Sequence, residues 1–289
     1  MNGSVRRFAC TQCGKCCNRS PEVELSEAAA LADVFVFQLM FRAYSMPIVP
    51  VGAASESNQI FYQKKRLLAA HAAHKSSKRT KVGGETVEAI NYLMISALAM
   101  DTSPGACAAL QSGRCSIHDR RPLGCRTVPF HHSRPDGLAA SDFDSFVTTP
   151  GYTCDTSESA PLFWKEGRIV DEPTLQARAD ALAVAERDRP WKQAIVRRMK
   201  TSGSGAVALP SLQEVEANAG FAAMTTSMRV GWEIAADAGV ISHDTYRAAV
   251  EMQLAAIERE FARGESTAGD QQTLREMRAE YQRVRAAVR

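Results

Sequence analysis

The chain has 289 residues, a formal net charge of +3, and 45% apolar and 23% charged residues, an ordinary balance for a globular protein. That length suffices for one large core or two smaller ones. Its longest strongly apolar stretch, residues 34–41, is interrupted by Gln38 and flanked by Asp33 and Arg42. This excludes a bilayer-spanning helix, and with no signal-like apolar run at the start a soluble cytoplasmic protein with no membrane partner is expected.

The first element is a cysteine string, Cys10, Cys13, Cys16 and Cys17 in a C-x2-C-x2-C-C arrangement. Four thiols within eight residues suit a loop wrapped around something that thiolates bind, a metal or an iron–sulfur cluster. Cysteines that merely filled core volume would scatter along helix faces. Disulfides fit poorly, because they belong to small secreted chains. Gly14 eases the turn between the knuckles. Adjacent side chains diverge in extended backbone, so Cys17 is expected to reach a second centre, bridge two metals or act as a redox thiol.

Helices are then predicted over 27–44, capped by Ser26 and stopped before Pro47, over 59–75, and over 85–100. The SSKRTKVGG stretch between the last two reads as a mobile connection. From Lys64 to Lys81 there are seven basic residues (Lys64, Lys65, Arg66, Lys75, Lys78, Arg79 and Lys81) and no acid. Without aromatic residues interleaved, this reads as a solvated run, and a nucleic-acid partner is not expected. His71 and His74, three apart, lack neighbouring acidic or thiol ligands and read as solvated too.

Residues 101–160 carry the second burst, Cys107, Cys115, Cys125 and Cys154, among the breakers Pro104, Gly105, Gly113, Pro122, Gly124, Pro129 and Pro135. Only short β pieces such as 143–149 are expected there, and cysteine ligation would organise the loops. Arg121 and Arg126 could offset thiolate charge or clamp a substrate carboxylate or phosphate, or else bond loop carbonyls, which is the reading preferred for Arg120. His118, His131 and His132 are candidate ligands or partners of ligands. Beyond Pro161 helices are predicted over 173–200, 211–238, 243–263 and 271–288, with Ser242 and Asp270 as caps and a hinge at the SGSG run of 202–205. The expected fold is therefore mainly α with an irregular, cysteine-rich metal-binding region containing short β pieces. Its expected domains are a cysteine-cluster domain, 1–160, and a helical region, 161–289.

Phe8 with the cysteine string, GRCSIH from Gly113 to His118, and RPLGCRTVP from Arg121 to Pro129 together resemble the YkgJ-type cysteine-cluster family, also called CxxCxxCC proteins. The resemblance covers about half the chain and implies a zinc- or iron-chelating domain with Cys10, Cys13, Cys16, Cys17, Cys107, Cys115, Cys125 and Cys154 as ligands. Flagellin lysine N-methylase shares the pattern, which implies an iron–sulfur centre and makes S-adenosylmethionine a further candidate cofactor without transferring the substrate. No glycine-rich fingerprint for a methyl donor or dinucleotide accompanies it.

Two kinds of function follow. One is an enzyme carrying an iron–sulfur cluster, expected as 4Fe-4S, in redox or radical modification of a protein or small molecule. The other is a zinc-held interaction module or a thiolate metal carrier. The adjacent pair Cys16 and Cys17 favours the cluster, because structural zinc needs no such pair.

Overall fold

The computed structural model describes residues 5–48, 70–82, 84–101, 106–130, 136–201 and 209–287. The protein is 45% helical and 23% strand, built around a curled five-stranded antiparallel sheet, so the mainly α expectation is overturned. The sheet comprises β2 (Glu22–Val23), β3 (Phe37–Pro47), β4 (His74–Val82), β5 (Glu85–Ala99) and β10 (Met224–Ser227). Its order is β10-β3-β5-β2, with β4 pairing the far end of β5.

The reversal has a physical cause. In β3, Phe37, Leu39, Phe41 and Ala43 enter the core, while Gln38, Met40, Arg42 and Tyr44 point the other way. In β5, Leu93, Ile95, Ala97 and Ala99 join the same core, and Tyr92, Met94, Ser96 and Leu98 form the opposite face. Apolar residues on both faces imitate a helical stripe, so periodicity alone misreads such strands. Of the first predicted helix only residues 27–30 are helical, within α1 (Leu25–Ala30). It starts after Glu24 rather than Ser26, and the Ser26 amide donates instead to Asp188 Oδ2 at 2.8 Å. Residues 59–69 of the second predicted helix lie outside the described residues, and SSKRTKV within the expected connection belongs to β4.

The second burst rides on short elements: the hairpin β6 (Leu110–Gln111) and β7 (Arg114–Cys115), then the one-turn helix α2 (Leu123–Arg126). Residues 143–147, expected as a β piece, lie within helix α3 (Asp136–Val147). β1 (Arg6–Arg7) joins β8 (Leu162–Lys165) and β9 (Arg168–Ile169) in a separate small sheet. Phe130, Phe143, Phe163, Trp164 and Ile169 form an aromatic core beneath it.

The predicted 173–200 helix divides at Asp188 into α4 (Glu172–Arg187) and α5 (Arg189–Thr201), because Pro190 has no amide to continue the hydrogen-bond ladder and suits the first turn of a new helix. The predicted 211–238 helix is instead α6 (Leu212–Ala217), strand β10 and α7 (Met228–Asp237). Helix α8 (His243–Arg263) has the predicted bounds and cap: Ser242 Oγ accepts from the Thr245 amide at 3.0 Å. Helix α9 (Ala268–Ala287) starts earlier than predicted, and its Asp270 amide bonds Thr267 Oγ1 at 3.2 Å, so Thr267 and not Asp270 caps it. The SGSG run lies outside the described residues.

These helices cover the inner sheet face. Trp191, Ile195, Trp232, Ile257 and Tyr281 share one core with Phe37, Leu39 and Phe41. Gln253 of α8, fully buried, accepts from the Phe37 amide at 2.8 Å and donates to the Ala32 and Phe35 carbonyls at 2.9 and 2.7 Å. It satisfies backbone groups that the turn from α1 into β3 would leave unpaired. The outer face of β3 and β5 is turned towards the cysteines.

Candidate metal centre

The cysteine string is held at both ends by the rest of the molecule. Phe8 packs on Phe163 and Phe143, with ring centroids 5.8 and 6.2 Å apart. Ala9 exchanges two backbone hydrogen bonds with Asp155, at 2.8 and 3.1 Å, and Thr11 Oγ1 donates to the Thr153 carbonyl at 3.1 Å. Cys154 is thereby fixed beside Cys10 and Cys13. Positive φ angles at Gln12 (57°) and Gly14 (71°) then curl the string, and the Cys17 amide closes the turn onto the Gly14 carbonyl at 3.0 Å.

The other end of the string meets the second burst. The Cys107 amide donates to the Cys17 carbonyl at 2.9 Å. Gly14 is pressed against the β6–β7 hairpin so closely that a Cβ on it would lie 2.6 Å from the Gly113 carbonyl oxygen. The hairpin turns through Ser112 and Gly113, both at positive φ, which matches the twist of a tight two-residue hairpin and brings Cys115 opposite Leu110. Cys125 follows on α2, whose first amide, Leu123 N, donates to Glu27 Oε1 at 2.8 Å. A half-buried carboxylate of α1 thus pins the turn that carries Cys125.

All eight cysteines line one cavity of ≈960 Å³. Cys10 is exposed at its rim and the others are half-buried. Among the described residues, no three Cys, His, Asp or Glu side chains converge into a ready-made ligand group for a metal ion. The thiols nevertheless feel one another strongly. A hydrogen bond from Cys17 draws the Cys16 thiol down to about 6, with help from the Arg121 charge, and the same contact pushes Cys17 up. The two adjacent side chains therefore meet, against the sequence expectation that they diverge. Hydrogen bonds from Thr153 and the Lys15 amide lower Cys13 to about 7. Burial, then the negative charge of Cys107, Cys115 and Cys16, pushes Cys125 up to about 12. Burial likewise raises Cys154, with Cys13, Cys16 and Cys10 adding to it. Mutual repulsion among thiolates is what a bound cation relieves, and soft thiolate sulfur is the donor that zinc and iron–sulfur centres use. The donor set fits either group.

Of the other predicted site residues, His118 and Arg121 line the cavity. Arg121 Nη1 lies 2.5 Å from His118 Nε2, so that ring nitrogen is turned towards the guanidinium. Arg126 bonds loop carbonyls instead, through Nε to Arg121 O at 2.9 Å and Nη2 to Asp119 O at 3.4 Å. Arg120 makes a two-pronged pair with Asp33, at 3.1 and 2.7 Å. His131 and His132 lie outside the described residues. Of the basic run, Lys75, Lys78, Arg79 and Lys81 stand exposed on β4, and Lys64, Lys65 and Arg66 are not described.

Sequence reasoning missed the rest of the cavity wall: Arg42 and Tyr44 from β3, Met94, Ser96 and Leu98 from β5, and Glu24, Glu27, Lys192 and His71. His71, expected in solvent, is half-buried there beside Lys192, and burial with that charge lowers its imidazole pKa. No local pattern marks these residues, because strand pairing, for those of β3 and β5, and helix packing, for Glu24, Glu27 and Lys192, bring them to the thiols. No helix of the described residues is long and apolar enough to cross a membrane. A model of the CxxCxxCC family, described as a "Putative zinc- or iron-chelating domain", matches residues 9–155. No curated protein and no solved structure matches the chain.

Proposed function

The chain belongs to the CxxCxxCC family, and from that premise we propose that its cysteines carry an iron–sulfur cluster serving redox or radical modification of a protein or small molecule. The observation that carries this reading is that eight thiols share one ≈960 Å³ cavity with a wall of other chemistry. A closed structural zinc site needs four ligands and no adjoining space, whereas a reactive centre keeps an open side. S-adenosylmethionine as a co-substrate would need its own binding groups, which the motif resemblance alone suggests.

The backbone contacts favour two neighbourhoods within the cavity. Cys10 and Cys13 are held against Cys154 by the bonds of Ala9 and Thr11, while Cys17 is tied to Cys107 and the hairpin bearing Cys115. Cys125 faces the second group and Cys16 stands between the two. When bound, a cluster supplies a one-electron couple. The chain's own part is to present thiolates, with Cys16 and Cys13 the readiest to lose a proton, and to place the Arg121 charge beside them.

Anaerobic purification, an absorption spectrum and metal analysis of one sample test the reading. Iron, labile sulfide and broad absorbance near about 400 nm are expected for cysteine-ligated clusters. A colourless protein with stoichiometric zinc would retire it in favour of a structural or metal-carrying module. Cys13→Ser and Cys125→Ser are each expected to lose metal and lower Tm, because ligation free energy is also folding free energy.

A further inference from the structure

The cavity is larger than its thiols require. At ≈960 Å³ it stands at the upper end of the range for small-molecule sites, about 300–1,000 Å³. The wall across from the cysteines is the outer face of the sheet, where Arg42 and Tyr44 of β3 sit in register with Met94 and Tyr92 of β5. Leu98 and Ser96 continue that surface towards β2.

Arg42 is the cation of this wall, and its surroundings set it apart from Arg121. Arg121 sits against His118 and its charge acts on Cys16 and Cys125. Arg42 acts on Glu22 and Tyr44 instead. Its contacts are long: 3.3 Å to Tyr44 Oη, 3.5 Å to Met40 Sδ and 3.7 Å to Glu22 Oε2. Glu22 is itself steadied by Ser96 Oγ, which donates to Oε1 at 2.8 Å. A guanidinium has five donors, and these loose contacts orient it without saturating it. Such a fork matches a planar carboxylate or a phosphate bidentately. Around it Met94, Leu98 and the Tyr44 ring offer apolar surface for the body of the same molecule.

We propose that the sheet wall binds a small organic oxyanion with an apolar body, anchored on Arg42 and held facing the cysteines. This rests on the cysteine wall being the metal centre and names the class of molecule presented to it. Both carboxylates and phosphate monoesters share the required chemistry.

The test titrates the anaerobically purified full chain, by calorimetry, with phenylacetate, phenyl phosphate and the uncharged phenylacetamide. Metal content is measured on every sample. At least one anion is expected to bind, with phenylacetamide at least tenfold weaker, and the better anion identifies carboxylate or phosphate as the natural group. Arg42→Gln is expected to weaken that anion at least tenfold while retaining wild-type metal content. Met94→Trp, which keeps the charge but fills the apolar wall, is expected to weaken it too, and it decides the matter if Arg42→Gln fails to fold. The proposal is overturned if neither anion binds, if the amide binds equally well, or if folded Arg42→Gln binds like wild type; should that variant fail to fold, Met94→Trp binding like wild type overturns it. Absence of metal would sink the cluster reading separately, since the titration reports on the sheet wall itself.

Discussion

The cysteines differ more in charge state than in sequence context. At pH 7 Cys16, drawn to about 6, is largely thiolate, Cys13 at about 7 is half ionised, and Cys125 at about 12 keeps its proton. Alkylation follows the thiolate fraction. In metal-free protein at pH 7, iodoacetamide is therefore expected to label Cys13 and Cys16 well before Cys125, as read by peptide mass spectrometry. Raising the pH to 9 gains no more than about twofold at Cys13 and leaves Cys125 slow, the sign that these shifts require. Equal labelling of all three would refute the assigned environments. Gly14 makes a second prediction at this scale. Its φ of 71° and the 2.6 Å that would separate a Cβ from the Gly113 oxygen leave no room for a side chain. Gly14→Ala is expected to cost about 2 kcal/mol in denaturant unfolding, the order of such backbone strain, and to lower metal uptake.

Between elements, half-buried carboxylates of α1 and its cap do the joining. Glu27 accepts from the amide that opens α2, and Glu24 Oε2 lies 2.5 Å from Lys192 Nζ of α5. Lys192 is buried and Glu24 half-buried, and burial pushes the Glu24 carboxyl up while the Lys192 charge opposes it. Removing one partner leaves an uncompensated buried charge, so Lys192→Met is expected to destabilise by about 3 kcal/mol in urea unfolding. The Glu24→Gln, Lys192→Met double variant should recover much of that loss. If the double variant is as unstable as the sum of its parts, the pair is not coupled. Helix α8 was legible because Ser242 and a single apolar stripe agree with one another. β5 was not: Ala89, Leu93, Ile95 and Ala97 serve one face while Met94 and Leu98 serve the other.

Over the whole molecule, the family match ends at residue 155, but the packing around it does not. β3 pairs with β10 from Met224↔Phe41 to Ser227↔Gln38, and its core face meets Trp191, Trp232 and Ile257. A fragment of residues 1–160 is therefore expected to stay unfolded or aggregate, exposing the inner face of β3 and β5. Far-UV circular dichroism and size exclusion would show this, and a monomeric, cooperatively melting fragment would refute it. The helical half, seen from here, supplies the support that lets the opposite sheet face look into the thiol cavity.

The sequence by itself determined the two bursts of cysteines, the family and the turn at Gly14 within the cysteine string, because these depend on residue type and short spacing. The bounds and cap of α8 were equally local. Only the tertiary structure decided that residues 37–47 and 85–99 are strands, since apolar side chains on two faces carry no distinct period. It also decided which cysteines are neighbours and that Arg42, Glu27 and His71 belong to the same cavity. Those relations join residues far apart in the chain, Cys154 with Cys10 and Leu123 with Glu27 among them, and strand pairing and burial create them.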